Sequence, residues 1–327
     1  MSRVLGAIAR APAWAPPLAV LAAMLGLIEA LRPGSFAMSH LAIEASEAMT
    51  LILIATGQTI VVLRGGIDLS LGATLSLATA IAATRTRDLT FVELLPWLVV
   101  ILVVGTVVGA INGALISGLR LQSFVVTLAT WSIIGGIALI ILPVNQSSVP
   151  AAWFEAGNAK ILDLVPAPIA LFLVLLAWWA WFRRTRWAFR IRAAGSDERG
   201  AFLNRVSLTR TNVVAYGLAG FFAALAGLFF STQTGSGSPV VGTQFILPSI
   251  AAVVIGGTNL AGGRGGVIGT VIGAFILNQI ADVIFLVGLS SYWQQLASGL
   301  ILVGVVLLTP LLEIAAERGR QATGQPT

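Results

Sequence analysis

The chain has 327 residues, of which 57% are apolar and only 10% are charged. A typical soluble domain is about 45–50% apolar and about 25% charged, so this composition argues against a soluble enzyme and indicates an integral membrane protein. The apolar runs are continuous, whereas an outer-membrane barrel shows alternating polarity in segments of about ten residues. The composition therefore predicts an all-α protein with several membrane-spanning helices.

Positive charge is concentrated in residues 183–210, which carry eight arginines against Asp197 and Glu198. The formal net charge of the whole chain is +6, so this stretch holds the entire excess. The positive-inside rule predicts that it is a cytoplasmic loop. Nucleic-acid binding is not expected, because a short stretch between two apolar runs cannot form a solvated domain of its own.

With this loop inside, the apolar runs taken in chain order predict about ten transmembrane helices with both termini in the cytoplasm. The predicted helices cover 14–28, 41–63, 70–83, 94–117, 122–142, 166–182, 212–231, 244–257, 265–280 and 292–308. The first run is long and contains Pro16 and Pro17 without a clear cleavage site, so we expect it to be kept rather than removed as a signal peptide.

The predicted topology makes the whole chain, 1–327, a single transmembrane domain. Its cytoplasmic parts include the loop 183–212 and the tail 311–327. The connections 143–165 and 232–243 lie on the outside, where we expect them to contact a partner.

Several kinds of chemistry are excluded or poorly supported by residue counts. There are no cysteines, His40 is the only histidine and Lys160 is the only lysine, so thiolate metal sites are excluded and a zinc site or a Ser-His-Asp triad is poorly supported. The glycine-rich run 262–266 lacks the Gly-Lys-Ser/Thr of a phosphate-binding loop, and Ile268 stands where a dinucleotide motif needs glycine. We predict no catalytic residue, no metal site and no cofactor.

A glycine-rich turn from Gly65 to Gly72 separates the second and third runs. Asp68 or Ser70 can cap the helix that follows. The alternative is a non-helical segment at membrane depth that lines a cavity. A related spacing occurs later, and we align Val62-x-x-Gly65-Gly66-x-Asp68-Leu69 with Val253-x-x-Gly256-Gly257-x-Asn259-Leu260 as weak evidence for a duplication.

Small residues four positions apart form two stripes on predicted helices. One consists of Gly105, Gly109 and Gly113, and the other of Gly265, Gly269 and Gly273. Such stripes let helix backbones approach closely, so they predict a compact bundle.

The cytoplasmic loop contains a glycine, a polar turn and a short amphipathic piece between Gly195 and Val206, in which Ser196 or Asp197 can start a short helix. This loop, the turn Gly65–Gly72, the run Ile250–Gly265 (IAAVVIGGTNLAGGRG) and the run Ser290–Gln294 (SSYWQ) resemble the permease subunits of bacterial ABC importers for sugars, the ribose-type family. The resemblance covers nearly the whole chain.

The resemblance implies a ten-helix fold like that of type II importer permeases, in the bacterial inner membrane. It also implies a second permease subunit, expected to be identical, a cytoplasmic ATPase subunit that holds the loop, and a periplasmic sugar-binding protein. Contact with the ATPase is implied for Gly195, Asp197, Glu198, Gly200, Ala201, Phe202 and Arg205. Two positions depart from the family, where an alanine pair is usual at Gly200-Ala201 and a glycine is usual at Arg205.

A sugar pathway needs hydrogen-bonding groups and aromatic faces. Candidates within the predicted helices are Gln58, Asn112, Trp131, Asn278 and Gln279, to which we add Asp68 in the turn before the third helix. Each polar member can instead form an interhelical hydrogen bond, which contributes about 0.6 kcal/mol on average. Two other functions stay open, an ABC permease for branched-chain amino acids or nucleosides and an ion-coupled transporter that would use Asp68 and Asp282.

Overall fold

The computed structural model describes residues 14–31, 33–35, 37–86, 89–144, 146–147, 149–161, 164–288 and 290, with isolated positions at 293, 296, 299–300 and 303. Apart from these isolated positions, the predicted helix 292–308 falls outside the described part, and the tail 311–327 lies outside it entirely. The described helices are α1 Ala15–Leu31, α2 Met38–Leu63, α3 Ser70–Arg85, α4 Phe91–Gly118, α5 Ser123–Ile141, α6 Ala151–Asn158, α7 Ala167–Phe182, α8 Arg186–Ser196, α9 Glu198–Leu203, α10 Leu208–Thr234, α11 Thr243–Ile255 and α12 Val267–Leu286.

Four two-residue strands accompany the described helices. β1 (Gln146–Ser147) pairs antiparallel with β4 (Ser236–Gly237), and β2 (Lys160–Ile161) pairs antiparallel with β3 (Val165–Pro166). The first pair joins the long connection after α5 to the segment after α10. Both pairs lie in predicted outer connections, far from the basic stretch.

Among the described residues, five helices are long and apolar enough to cross a membrane, namely α2, α4, α5, α10 and α12. The pair α7 and α8 is bent by 74° and counts as a sixth candidate if it forms one broken span. The prediction of an all-α, polytopic membrane protein is thereby confirmed. The number ten and the positions of the termini remain predictions.

The centre of the bundle is formed by α2 and α3. Nearly every side chain of α3 from Ser70 to Ala83 is buried, and α3 packs against α4, α5 and α10. Its 16 residues make a helix about 24 Å long, shorter than the hydrocarbon layer of about 30 Å. The predicted third span is therefore a short, buried helix whose small side chains let its neighbours close around it.

The segment between α10 and α11 packs along α3, although its polarity predicts an outer loop. The Ser238 N–H donates to the Thr79 hydroxyl (3.2 Å), which donates in turn to the Ser238 carbonyl (2.8 Å). Nearer the start of α3, the Gly242 N–H donates to the Ser76 hydroxyl (2.8 Å). Residues 236–242 thus form irregular backbone inside the bundle, tolerated because α3 supplies hydrogen-bond partners.

The predicted glycine stripe on α4 lies against α10. A side chain at Gly105 or Gly109 would overlap the α10 backbone at Gly220 or Tyr216. On α12, Gly269 and Gly273 make the same close approach to α11. Gly265 does not belong to this second stripe as predicted, because α12 begins at Val267.

The two glycine turns share one backbone geometry, but in a different alignment from the predicted one. The Gly65 N–H donates to the Val62 carbonyl (2.8 Å), and the Gly257 N–H donates to the Val254 carbonyl (2.9 Å). Both glycines have positive φ, 89° and 79°, as expected directly after a helix. The equivalent of Val62 is therefore Val254 and not Val253, because a left-handed residue must be aligned with a left-handed residue.

Candidate functional site

The basic stretch folds into two short helices, α8 and α9, at what we call the basic end of the bundle. The Thr185 hydroxyl caps α8 by accepting from the Ala188 N–H (3.3 Å). Asp197 ends α8, and its carboxylate accepts from the Gly200 N–H (3.0 Å) at the start of α9. The prediction that a short helix begins at Ser196 or Asp197 is confirmed for Asp197.

Three backbone segments meet at the basic end without side chains between them. Their glycines, which we call the glycine junction, are Gly65, Gly195, Gly262 and Gly263. The Gly263 N–H donates to the carbonyl of Leu63, the last residue of α2 (3.0 Å). A side chain at Gly195 would overlap that same carbonyl, and a Cβ at Gly262 would lie 2.7 Å from the Gly195 carbonyl. The end of α2, helix α8 and the turn before α12 are therefore in direct contact.

Two arginines donate hydrogen bonds to backbone carbonyls at or beside the glycine junction. Arg64 is buried, and its guanidinium donates to the Ala194 carbonyl on α8 (3.3 Å) and lies 3.5 Å from the Glu198 carboxylate. Arg192 donates from α8 to the Gly265 carbonyl (3.4 Å). Burial and the positive charge of Arg183 lower the pKa of the Arg192 guanidinium, which still stays protonated at neutral pH.

The residues predicted to contact an ATPase separate into inner and outer positions. Ala201 is buried, Gly195 lies inside the glycine junction and Gly200 is half-buried, whereas Asp197, Glu198, Phe202 and Arg205 are exposed. Phe202 and Leu203 form an exposed apolar pair, with 66% and 72% of their surfaces accessible. Sequence reasoning missed Leu203, Arg64 and Arg192; the sole signal for Leu203 was its place beside Phe202.

Arg205 adopts a left-handed backbone with φ of 60°. It follows α9 directly, at the position where helices often end in a left-handed residue that is usually glycine. The glycine that is usual at this position in the ribose-type family would adopt this conformation without strain. The departure at Arg205 therefore leaves the shape of the turn unchanged.

Three of the six predicted pathway residues, Gln58, Asp68 and Asn112, meet in one buried network. The Asp68 carboxylate accepts from the Ser70 N–H (2.8 Å) and hydroxyl (2.6 Å), and the Asn112 amide donates to the Ser70 hydroxyl (2.8 Å). The hydrogen-bonding groups around Gln58 determine the orientation of its side-chain amide, whose N–H donates to the Asp68 carbonyl (3.0 Å). All three predicted residues are at most 2% exposed, which favours interhelical hydrogen bonding over contact with a solute.

The other three predicted pathway residues lie elsewhere. Asn278 and Gln279 on α12 both donate to one carboxylate oxygen of Glu44 on α2, at 3.2 and 2.9 Å. Trp131 is half-buried and packs against a cluster formed by α3 and α5 that includes Ala73 and Leu77. Among the described residues, no three His, Cys, Asp or Glu side chains come together as a metal site would require.

Comparison with known proteins gives a consistent result. The family model described as "Branched-chain amino acid transport system / permease component" matches residues 41–306. The chain is 32% identical to the ribose import permease protein RbsC of Escherichia coli (strain K12) over 299 residues, covering 89% of this chain and 92% of the relative.

Two further relatives support the same similarity. The ribose import permease protein RbsC of Bacillus subtilis (strain 168) is 35% identical over 78% of this chain and 80% of its own length. The autoinducer 2 import system permease protein LsrC of Enterobacter sp. (strain 638) is 33% identical over 93% of this chain and 88% of its own length. No solved structure matches the chain.

Proposed function

This chain belongs to the family of permease components of branched-chain amino acid transport systems, and we propose that it is the transmembrane subunit of an ATP-driven ABC importer for a monosaccharide. It is a multi-pass protein of the bacterial inner membrane. The relatives named above are import permeases for ribose and for autoinducer 2, which favours a sugar over the branched-chain amino acid of the family description.

The glycine junction is the observation that supports our proposal that movement of the ATPase subunit reaches the bundle through α8 and α9. Leu63, Gly195 and Gly263 touch through their backbones, so a displacement of α8 moves the end of α2 and the start of α12 together. The exposed Phe202 and Leu203 offer the apolar contact by which a cytoplasmic ATPase subunit would hold α9. Because no flexible side chain lies between these backbones to absorb a displacement, close packing of this kind transmits a shift of one segment to the others.

The proposed partners follow from this arrangement and from the family. A second copy of the permease completes the pathway, an ATPase subunit binds at the basic end, and a periplasmic sugar-binding protein delivers the solute from the other side. We assign ten transmembrane helices and place both termini in the cytoplasm. Support for the sidedness comes from the arginine-rich α8 and α9.

The pathway wall is proposed to include the start of α11. Thr243 and Gln244 are exposed there, and neither side chain has a hydrogen-bond partner among the described residues. The 13 residues of α11 make it about 20 Å long, and its last turn contacts α12 at the basic end, so we propose that Thr243 lies within the hydrocarbon layer. Unpaired amides are costly against lipid, so this face requires water, a polar solute or protein.

Trp131 is proposed to supply an aromatic face beside this polar one. It packs against a buried cluster that includes Ala73 and Leu77 of α3, while Gly72 of α3 touches Gly242 and Ile246 at the start of α11. Helix α3 therefore packs both against α5, which carries Trp131, and against the start of α11. An aromatic face with nearby amide and hydroxyl groups is suited to a sugar.

The test is to purify the chain with its co-expressed ATPase in mild detergent and to compare Phe202→Ser with Phe154→Ser. Phe154 is 44% exposed on α6, near the opposite end of the bundle, so it is a matched control. We expect Phe202→Ser to weaken ATPase binding by about 2 kcal/mol, roughly 30-fold, and Phe154→Ser to leave it unchanged.

Two results would contradict the proposed function. One is ATPase binding that is equally strong in both variants, which would show that α9 does not contact the ATPase. The other is solute uptake into liposomes by the purified chain alone, driven by an ion gradient. That outcome would favour the ion-coupled transporter and would make Asp68 and Asp282 the residues to mutate.

A further inference from the structure

A cavity of about 730 Å³ opens at the basic end between α4, α9 and α10. Its size falls within the range of small-molecule sites, about 300–1,000 Å³. Its charged lining residues are Arg64, Arg120 and Glu198, and its hydroxyl groups come from Ser117, Ser123, Ser207, Thr209 and Tyr216. Two guanidinium groups and several hydroxyls lining one cavity form an environment suited to a phosphate.

Arg64 reaches this cavity from a buried position. It is 8% exposed, and its Nε has no hydrogen-bond partner. The contact with Glu198 occupies Nη2 at 3.5 Å, and that carboxylate is itself 63% exposed to solvent. Since a largely exposed carboxylate compensates a buried guanidinium only weakly, Arg64 retains the capacity to bind a second anion.

Arg120 stands at the mouth of the cavity with a left-handed backbone, φ 52°. A left-handed conformation costs an ordinary side chain roughly 1–2 kcal/mol, and glycine is the residue that avoids this cost. The helices beside it, α4 and α5, expose apolar side chains along most of their length, as do Leu119 and Leu121 in the connection between them. The cavity therefore borders the lipid.

We propose that this cavity binds the phosphate of an anionic ligand, held between Arg64 and Arg120. Basic pockets between transmembrane helices on the cytoplasmic side bind lipid headgroups, and a free phosphorylated metabolite offers the same group. Because Arg64 also donates to Ala194 on α8, an occupied cavity would stabilise the position of α8. That last consequence rests on the proposed function, whereas the binding itself does not.

The experiment uses the purified full chain in detergent and follows its thermal unfolding temperature, Tm. Three compounds are titrated separately: a short-chain phosphatidylglycerol, the matching phosphatidylcholine and inorganic phosphate. We expect phosphatidylglycerol to raise Tm with saturation and phosphatidylcholine to raise it much less. Inorganic phosphate distinguishes the source, because a shift equal to that of phosphatidylglycerol would assign the site to a free phosphate compound.

The variants are Arg120→Gln and, as the control, Arg199→Gln, which removes an exposed arginine of α9 that does not line the cavity. Arg120→Gln should weaken the apparent affinity for the anion at least tenfold, while Arg199→Gln should match the unmodified chain. Equal affinities in the two variants, or no Tm shift with either anion, would overturn the proposal. Binding without any effect on the ATPase of the complex would leave the site valid and remove its link to α8.

Discussion

Gly195 is the residue whose side chain, a single hydrogen, allows α8 to lie against the end of α2. A methyl group there would overlap the Leu63 carbonyl, which cannot rotate away as a flexible side chain could. We expect Gly195→Ala to destabilise the local packing by about 1–3 kcal/mol, as overpacked sites do. In the complex, it should reduce sugar uptake per ATP hydrolysed more than it reduces ATPase binding.

The control for this substitution is Gly136→Ala on α5, where a Cβ would meet nothing within 4 Å. This variant should keep full uptake and be as stable as the unmodified chain or slightly more stable. The measurement is a pair of assays, Tm of the purified chain and uptake per ATP in proteoliposomes. Full coupling in Gly195→Ala would show that the glycine junction transmits nothing.

A residue-scale prediction of opposite sign concerns Arg205. Its φ of 60° suits glycine, so Arg205→Gly should raise the free energy of unfolding by about 0.5–1 kcal/mol. Arg199→Gly, inside α9, should lower it by up to about 1 kcal/mol, because glycine is unfavourable within a helix. Tm measurements on the two variants check the pair, and a decrease in both would show that no backbone strain exists at Arg205.

At the scale of the element, the proposed pathway wall at the start of α11 makes a testable prediction. If Gln244 hydrogen-bonds a sugar, Gln244→Leu removes a bond of about 0.5–1.5 kcal/mol, so uptake should fall roughly 2- to 13-fold. Gln122→Leu changes an equally exposed amide at the start of α5 and should not affect uptake. Binding of the ATPase should be normal in both variants.

Two outcomes would contradict this location of the pathway. Unchanged uptake in Gln244→Leu would show that this amide does not contact the solute. Loss of the second permease copy from the purified complex would show instead that the face of α11 is a contact between subunits. Uptake together with the mass of the complex separates the three cases.

Hydropathy predicted most elements because lipid-facing helices such as α4 and α5 must be apolar along their length. It did not predict that α3 is buried in protein or that residues 238–242 pack along it, because there protein rather than lipid is the surrounding medium. A buried helix of small residues and an extended segment that bonds to it have no characteristic hydropathy. The pairing of Thr79 with Ser238 depends on the tertiary fold, which no local pattern contains.

The same distinction holds for the site residues. The cap at Asp197 was predictable because capping is local, between residues 197 and 200. Polar residues inside the helices were candidates for the pathway, but sequence could not tell a paired amide from an open one. The partners of Asn112 and Gln279 come from distant parts of the chain, at Ser70 and Glu44.

For the whole molecule, the lack of any cysteine makes its orientation directly measurable. Single cysteines placed at exposed positions react with a membrane-impermeant maleimide only from the side on which they lie. Arg199→Cys on α9 should be labelled only after the cells are opened. Asn158 is the last residue of α6 and contacts Thr232 near the end of α10. Asn158→Cys should therefore be labelled in cells with a permeabilised outer membrane.

The physical reason for this expectation is the arginine content of α8 and α9, which holds that end of the bundle on the side where the chain was made. Both variants keep the helices intact, because position 199 lies in the exposed first turn of α9 and position 158 is the last residue of α6. Labelling of Arg199→Cys in unopened cells would show that the topology is the reverse of the proposed one. An inverted topology would place the glycine junction on the side without ATP and would remove the physical basis for energy input through α8.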